Sequence, residues 1–130
     1  MPSDPLRDVV IVVVEDHDDA RRYLGIYLRQ LGAKVFEASN AVEGFQAIKN
    51  NHPSLVLSDI MMPGADGFEL LRQIRGLGSD AGGSVPVIAM TALVGQEERT
   101  RILDAGFRAC LPKPFTPDRL LSTILTVLKD

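Results

Sequence analysis

The sequence predicts a doubly wound α/β fold, in which a five-stranded parallel sheet carries helices on both faces. Two observations lead to this class. Short strand-like runs, the first of them continuously apolar and almost entirely β-branched, alternate five times with longer stretches whose apolar residues recur every three or four positions. The chain also has 130 residues, of which 45% are hydrophobic, and this length and composition suit one domain with one core.

The first strand–helix pair has the clearest pattern. Residues 9–14 are continuously apolar and predict a buried strand, preceded by a tail over residues 1–8; the domain is expected to span residues 9–130. Residues 18–31 predict a helix that Gly32 ends. Asp18 is its expected N-cap. The apolar residues at helical spacing, expected on its inner face, are Ala20, Tyr23, Leu24, Tyr27, Leu28 and Leu31.

The same alternation continues through four further pairs. Strands are predicted at residues 34–38, 55–58, 85–90 and 109–111. Helices are predicted at residues 40–50, 68–75, 95–105 and 117–128. Asn40 is the expected cap of the second helix, Gly106 ends the fourth, and Pro117 occupies the first turn of the last. Strict alternation implies right-handed crossovers and therefore parallel strands.

Polar residues that can perform chemistry come directly after the predicted strands. Glu15 and Asp16 follow the first strand, Asp59 the third, Thr91 the fourth and Lys113 the fifth, after one intervening proline. Functional residues of such sheets gather at the carboxyl ends of the strands. We therefore expect these five side chains to lie at one edge of the sheet.

A cluster of carboxylates at this edge favours a bound divalent cation. Like charges at short range raise each other's pKa, and either a proton or a cation relieves the repulsion. Mg²⁺ prefers a few carboxylates together with water and a phosphate oxygen. With Lys113 and Thr91 on its other sides, Asp59 is predicted to carry a phosphoryl group.

Ordinary structural roles remain open for each of these residues taken singly. Asp59 could occupy a turn, Thr91 could cap a helix, and Lys113 could be solvated. Asp18 and Asp19 are better explained as exposed acids that open a helix, where the dipole favours negative charge. The combination, with each residue placed just after a strand, favours the phosphoryl site.

The remaining reactive residues are assigned structural roles. His17 and His52 are predicted to be ordinary surface residues, because no second nitrogen or sulfur ligand stands at a useful spacing. Cys110, the one cysteine, is predicted to be a small buried hydrophobe, and a lone cysteine gives no internal disulfide. The net charge of −3 argues against direct nucleic-acid binding. With no membrane segment or signal peptide detected, a cytoplasmic location is expected.

Four motifs together resemble the receiver domain of two-component response regulators. They are Glu15-Asp16, the segment from Leu55 to Gly67 around Asp59 and Met62-Pro63-Gly64, Met90-Thr91-Ala92, and Lys113-Pro114-Phe115. They occur in family-typical order over nearly the whole chain. The resemblance implies a flavodoxin-like sheet with the strand order 2-1-3-4-5, which makes the first and third strands neighbours.

The resemblance also implies the role of each site residue. Asp59 would accept a phosphoryl group from a sensor histidine kinase or a histidine phosphotransfer protein, and the domain would catalyse only its own phosphotransfer and dephosphorylation. Mg²⁺ or Mn²⁺ would bind Glu15, Asp16, Asp59 and the backbone carbonyl of Met61. Lys113 would pair with a phosphoryl oxygen, and its bond to Pro114, often cis in this family, would aim the lysine. Thr91 would act as a switch residue.

The output side departs from the family pattern. The second switch position, three residues before Lys113, is usually aromatic and here is Cys110. The surface of the last two helices and the fifth strand is the expected output face, where a homodimer is one option. Whether the domain acts alone or within a hybrid kinase or a longer regulator stays open.

Three alternative functions have weaker support. A haloacid-dehalogenase-type phosphatase needs a second acid two residues after the nucleophile, where this chain has Met61. A flavodoxin-like cofactor binder needs a phosphate loop where this chain has five consecutive acidic or histidine residues. A pseudo-receiver without phosphotransfer has only Cys110 in its favour.

Overall fold

Five parallel strands form one sheet in the computed structural model, which describes residues 4–62, 64, 66–92 and 95–129. The strands are β1 (Val10–Val14), β2 (Lys34–Ala38), β3 (Leu55–Asp59), β4 (Val87–Thr91) and β5 (Ala109–Pro112). Their order across the sheet is β2-β1-β3-β4-β5, and all four pairings are parallel. The predicted fold class and strand order are confirmed.

Five α-helices connect the strands and follow the last one. They are α1 (Asp18–Gln30), α2 (Ala41–Asn51), α3 (Gly67–Arg75), α4 (Gln96–Ala105) and α5 (Pro117–Lys129), with one 3₁₀ turn at Ser79–Ala81. Each lies within one residue of its predicted bounds. Among the described residues, no helix combines the length and the apolar character that crossing a bilayer requires.

Two apolar clusters, one on each face of the sheet, make up the core. Alternate residues of each strand point to opposite faces, so Val12 and Val14 join one cluster while Ile11 and Val13 join the other. Every residue of β3 and β4 is buried. Packing on both faces therefore positions the central strands, whose carboxyl ends carry Asp59 and Thr91.

Three details of the first strand–helix pair differ from the predictions. The N-cap of α1 is His17, not Asp18, whose carboxylate instead accepts a hydrogen bond from Arg21 at 2.6 Å. Ala20 and Tyr23 are exposed rather than on the inner face. In the predicted tail, Leu6 is fully buried and its N–H donates to the carbonyl of Leu31 at 2.9 Å.

Local capping accounts for the start of α2 and α3. The side chain of Asn40, the predicted cap of α2, accepts a hydrogen bond from the Glu43 N–H at 2.9 Å. The Glu43 carboxylate in turn accepts a hydrogen bond from the Ser39 N–H at 2.8 Å. Asp66 caps α3 in the same way, accepting from the Glu69 N–H. Each cap satisfies N–H groups that the helix itself leaves without partners.

Candidate functional site

The predicted site residues meet at the carboxyl edge of the sheet. Asp59 ends β3 and pairs in register with Met90, one residue before Thr91 on β4. The N–H of Lys113 donates to the carbonyl of Thr91 at 2.8 Å, which fixes the lysine backbone beside β4. Glu15 and Asp16 follow β1, the other neighbour of β3. The consecutive strands β1, β3, β4 and β5 therefore carry all five residues at the same edge of the sheet.

Lys113 links the two acidic sides of the site. Its ammonium nitrogen lies 2.7 Å from Glu15 Oε1 and 3.4 Å from Asp59 Oδ2. The lysine precedes a cis peptide bond to Pro114, as the family resemblance implied. The predicted partner of Lys113 was a phosphoryl oxygen, and its bond to Glu15 was not predicted. Glu15 therefore holds the ammonium group within reach of Asp59.

The four acidic and imidazole side chains at this edge form one compact group. One ligand atom from each of Glu15, Asp16, His17 and Asp59 lies within 4.8 Å of the others. Asp16 Oδ1 is buried, and no hydrogen-bond donor among the described residues satisfies it. A buried carboxylate oxygen without a donor fits a cation ligand. The oxygen-rich set therefore suits Mg²⁺.

The electrostatics of the group differ sharply between its two buried acids. Burial and the neighbouring charge of Glu15 raise the pKa of Asp59 to about 6, although Lys113 opposes the rise. Burial also acts to raise the pKa of Glu15, but hydrogen bonds from Lys113 and His17 outweigh it and lower that pKa to about 2. Glu15 therefore stays charged beside Lys113, and the repulsion between the carboxylates appears as the raised pKa of Asp59.

His17 was predicted to be an ordinary surface residue, and that interpretation is incomplete. Its side chain is 75% exposed, yet Nδ1 lies 3.1 Å from Glu15 Oε2 and 3.4 Å from Asp16 Oδ1. The hydrogen bond with Glu15 and the charge of Asp16 raise the pKa of His17. The direct adjacency of His17 to the Glu15-Asp16 pair was the signal available in the sequence. His52, on α2's C-terminal side, is exposed and outside the acidic group.

The switch residues and the loop after β3 complete the site. Thr91 is 2% exposed and Cys110 is 8% exposed. Burial raises the pKa of the Cys110 thiol, which agrees with the predicted role of a buried hydrophobe. The Met61 side chain is exposed, and the role of its backbone carbonyl stays a prediction. Pro63, within the second motif, lies outside the described residues.

The fold and the site define a phosphoacceptor domain, and comparison with known proteins gives its family. The profile of the response regulator receiver domain family matches residues 11–125. The chain belongs to this family, and its role is that of a receiver in two-component signalling, as the sequence motifs predicted.

Relatives in longer proteins and in solved structures agree. Sensor histidine kinase RcsC of Escherichia coli (strain K12) is 39% identical over 117 residues, which cover 90% of this chain and 12% of that protein. Response regulator MprA of Mycobacterium sp. (strain KMS) is 39% identical over 121 residues, covering 93% of this chain and 51% of that protein. The chain thus spans about half or less of these relatives.

The fold of the receiver domain protein (CheY-like) from Methanospirillum hungatei JF-1 superposes with a TM-score of 0.83 at 30% identity, covering 93% of this chain and 94% of that one. The signal receiver domain of a histidine kinase from Syntrophus aciditrophicus gives a TM-score of 0.81 at 28% identity, covering 93% and 90%. Receivers from both regulators and kinases therefore share this architecture.

Proposed function

We propose that Asp59 is the phosphoacceptor of this domain and that it receives the phosphoryl group from a histidine kinase or a histidine phosphotransfer protein. The observation that carries this proposal is the position of Lys113, whose ammonium nitrogen lies 3.4 Å from Asp59 Oδ2 while Glu15 holds it at 2.7 Å. A cation placed beside a nucleophilic carboxylate is suited to neutralise the oxygens of an incoming phosphoryl group.

The chemical step is a transfer from nitrogen to oxygen. A carboxylate oxygen of Asp59 attacks phosphorus, a P–O bond forms, and the P–N bond of the donor phosphohistidine breaks with the electron pair leaving on the imidazole. The nucleophile must be ionised, and a pKa of about 6 leaves Asp59 mostly charged at neutral pH. Hydrolysis of the resulting acyl phosphate by water returns Asp59 to its starting state.

The acid cluster supplies the metal site that this transfer needs. Glu15, Asp16 and Asp59 would hold Mg²⁺ or Mn²⁺, together with the backbone carbonyl of Met61 that the family resemblance implies. When bound, the ion neutralises negative charge on phosphoryl oxygens and on the carboxylates. The buried, unsatisfied Asp16 Oδ1 supports this assignment. Proton uptake by Asp59 is the competing way to relieve the same repulsion.

Phosphorylation is proposed to shift a two-state equilibrium that Thr91 and Lys113 report. An added phosphoryl dianion offers Lys113 a new partner in place of Glu15 and Asp59. The backbone hydrogen bond from Lys113 to the Thr91 carbonyl ties both residues to neighbouring strands. A change at the phosphoryl site can thus reach β5 through a short path.

The proposed output surface is formed by α4, β5 and α5. Cys110 lies there in a groove of about 330 Å³ that Arg99, Arg108 and Arg119 also line. A thiol is smaller than the usual aromatic switch side chain, so a swinging ring cannot be the relay in this chain. A homodimer through this surface is the first output to test, by sedimentation of the domain with and without a phosphodonor.

The experiment for the phosphoacceptor uses a small phosphodonor such as acetyl phosphate with Mg²⁺, followed by intact mass measurement. We expect one base-labile phosphoryl group on the parent chain and none on Asp59→Asn. Asp104→Asn, which removes an exposed aspartate on α4, is the matched control and should accept the group normally. Phosphorylation of Asp59→Asn to the parent level would refute the assignment.

The cellular setting follows from the same proposal. A receiver fed by a histidine kinase acts where that kinase exposes its phosphohistidine, so we propose a cytoplasmic location. Its partners would be proteins rather than nucleic acid.

A further inference from the structure

His17 brings a ring nitrogen into the acidic group at the sheet edge. Its Nδ1 lies 3.1 Å from Glu15 Oε2 and 3.4 Å from Asp16 Oδ1, and both carboxylates belong to the proposed metal site. Of the described histidine, cysteine and acidic residues that group at this edge, it alone offers nitrogen. The proposed phosphotransfer step assigns no role to this ring.

The separations of these atoms suit ligands of one ion. Bonds from a divalent ion to nitrogen or oxygen are about 2.0–2.1 Å long, which sets adjacent ligand atoms roughly 2.8–3.4 Å apart, from octahedral to tetrahedral geometry. The distances of 3.1 and 3.4 Å fall in this range, and an ion bound there would replace the Nδ1 proton that is shared with Glu15 Oε2, releasing that proton to solvent. Glu15 can offer Oε2 to an ion while Oε1 remains bonded to Lys113.

The local structure of the chain turns the His17 ring toward the acids. His17 is the N-cap of α1 with an extended backbone, and its side chain makes no capping hydrogen bond to the helix. Its own N–H instead donates to Glu15 Oε2 at 3.1 Å. The ring and the backbone of the same residue therefore both contact the carboxylate that borders the metal site.

The chemistry of the donor set then bears on which ion binds. Mg²⁺ takes oxygen ligands and keeps several waters. Imidazole suits Zn²⁺, Cu²⁺, Ni²⁺ and Fe²⁺ instead. A site of three carboxylates alone suits Mg²⁺ or Mn²⁺. Adding one imidazole gives the site a further ligand only for the imidazole-binding ions such as Zn²⁺.

We propose that His17 is a specificity-determining ligand, which shifts the preference of this site from Mg²⁺ toward imidazole-binding divalent ions, with Zn²⁺ as the test case. The inference rests on the proposed function, because it uses the same carboxylates. Zn²⁺ held by Glu15, Asp16 and His17 excludes Mg²⁺ from those carboxylates. The domain would thus respond to the ratio of the two ions.

The test compares Zn²⁺ and Mg²⁺ affinity by calorimetry in the intact chain, His17→Gln and His52→Gln. Loss of a direct ligand should weaken binding at least as much as loss of an outer partner of a ligand, for which about 10-fold is the lower figure. We expect the Zn²⁺-to-Mg²⁺ affinity ratio to fall at least about 10-fold in His17→Gln, which equals ~1.4 kcal/mol. His52→Gln removes the other histidine and should leave the ratio unchanged.

A second readout uses the unmodified chain and so does not depend on a variant that folds. The chain has two histidines, and ring-nitrogen NMR resolves both during a Zn²⁺ titration. We expect the His17 ring signals to shift at stoichiometric Zn²⁺ and the His52 signals to stay. A ratio that changes less than twofold in His17→Gln, or His17 ring signals that do not move, would overturn the inference.

Failure of this inference is separable from failure of the proposed function. If Mg²⁺ still supports phosphorylation of Asp59 while the Zn²⁺-to-Mg²⁺ affinity ratio is the same in His17→Gln and the parent chain, only the specificity role of His17 is refuted. If Asp59→Asn is phosphorylated as well as the parent chain, the proposed function fails instead, whatever His17 binds.

Discussion

Replacing Asp59 by asparagine should stabilise the metal-free domain at neutral pH. The folded protein holds the pKa of Asp59 at about 6, against an ordinary value of 3.8. The fold therefore favours the protonated carboxyl, and ionisation at higher pH works against folding. Asparagine has nearly the same shape and never ionises, so the variant avoids this penalty.

The size and the pH dependence of the effect follow from the two pKa values. Below pH 3.8 the folded and unfolded chains both carry the proton, and the penalty is absent. It develops as the pH rises from 3.8 to about 6, where only the unfolded chain gives up the proton, and is complete above that range. A difference of about 2 pKa units corresponds to about 3 kcal/mol. Asp59→Asn also gives up the ion pair with Lys113, so the expected net gain is about 1–3 kcal/mol at pH 7.5.

The assay is urea unfolding followed by far-UV circular dichroism in EDTA, because the chain contains no tryptophan for fluorescence. The free energy of unfolding of Asp59→Asn should exceed that of the parent at pH 7.5, and the difference should shrink toward pH 4. Asp104→Asn should stay within about 0.5 kcal/mol of the parent at both pH values. An asparagine variant that is less stable than the parent at pH 7.5, or a gain that is the same at both, refutes the electrostatic account.

Three further substitutions test the scaffold. In Gly67→Ala the new Cβ would lie 2.6 Å from the backbone oxygen at the end of β3, so a loss of about 1–3 kcal/mol is expected, whereas Gly78→Ala, with open space around it, should lose much less. Arg75→Ala removes hydrogen bonds to three backbone carbonyls, at 3.0, 2.7 and 3.4 Å, and should cost about 1.5–3 kcal/mol, whereas Arg72→Ala, at an exposed position, should cost under about 1 kcal/mol. Leu6→Ala should lower stability by about 2–5 kcal/mol, although it lies in the predicted tail. Urea unfolding measures the free energy of unfolding of all three variants and their controls. If Gly67→Ala or Arg75→Ala loses no more stability than its control, or if Leu6→Ala loses none, the packing described here is contradicted.

The alternation of strand and helix was enough to predict the fold because the central strands β1, β3 and β4 are largely continuous apolar runs, whereas the edge strand β2 includes Lys34 and Glu37. Because β3 is buried on both faces, it contains no polar residue before Ser58, and its bounds could be predicted from the sequence. The site residues were predictable for a related reason: parallel strands end at one edge, and Asp59, Thr91 and Lys113 each stand close after such a run.

The details that sequence reasoning missed depend on contacts between distant segments. Leu6 packs against residues near the end of α1, and a tail with prolines and charges gives no sign of that partner. The bond from Lys113 to Glu15 joins residues 98 positions apart. Asp18 has the residue type of an N-cap, but its carboxylate pairs with Arg21 one turn later, and the N-cap is His17, whose side chain makes no capping hydrogen bond.

The central claim is that Asp59 carries the phosphoryl group, and chemical trapping tests it most directly. Borohydride reduces an aspartyl phosphate to homoserine, so treating the phosphorylated domain and mapping its peptides identifies the modified position. The account predicts homoserine at position 59 after incubation with a phosphodonor and Mg²⁺, and none when Mg²⁺ is withheld. Homoserine at another aspartate, or phosphate that resists reduction because it is on a hydroxyl or an imidazole, would contradict it.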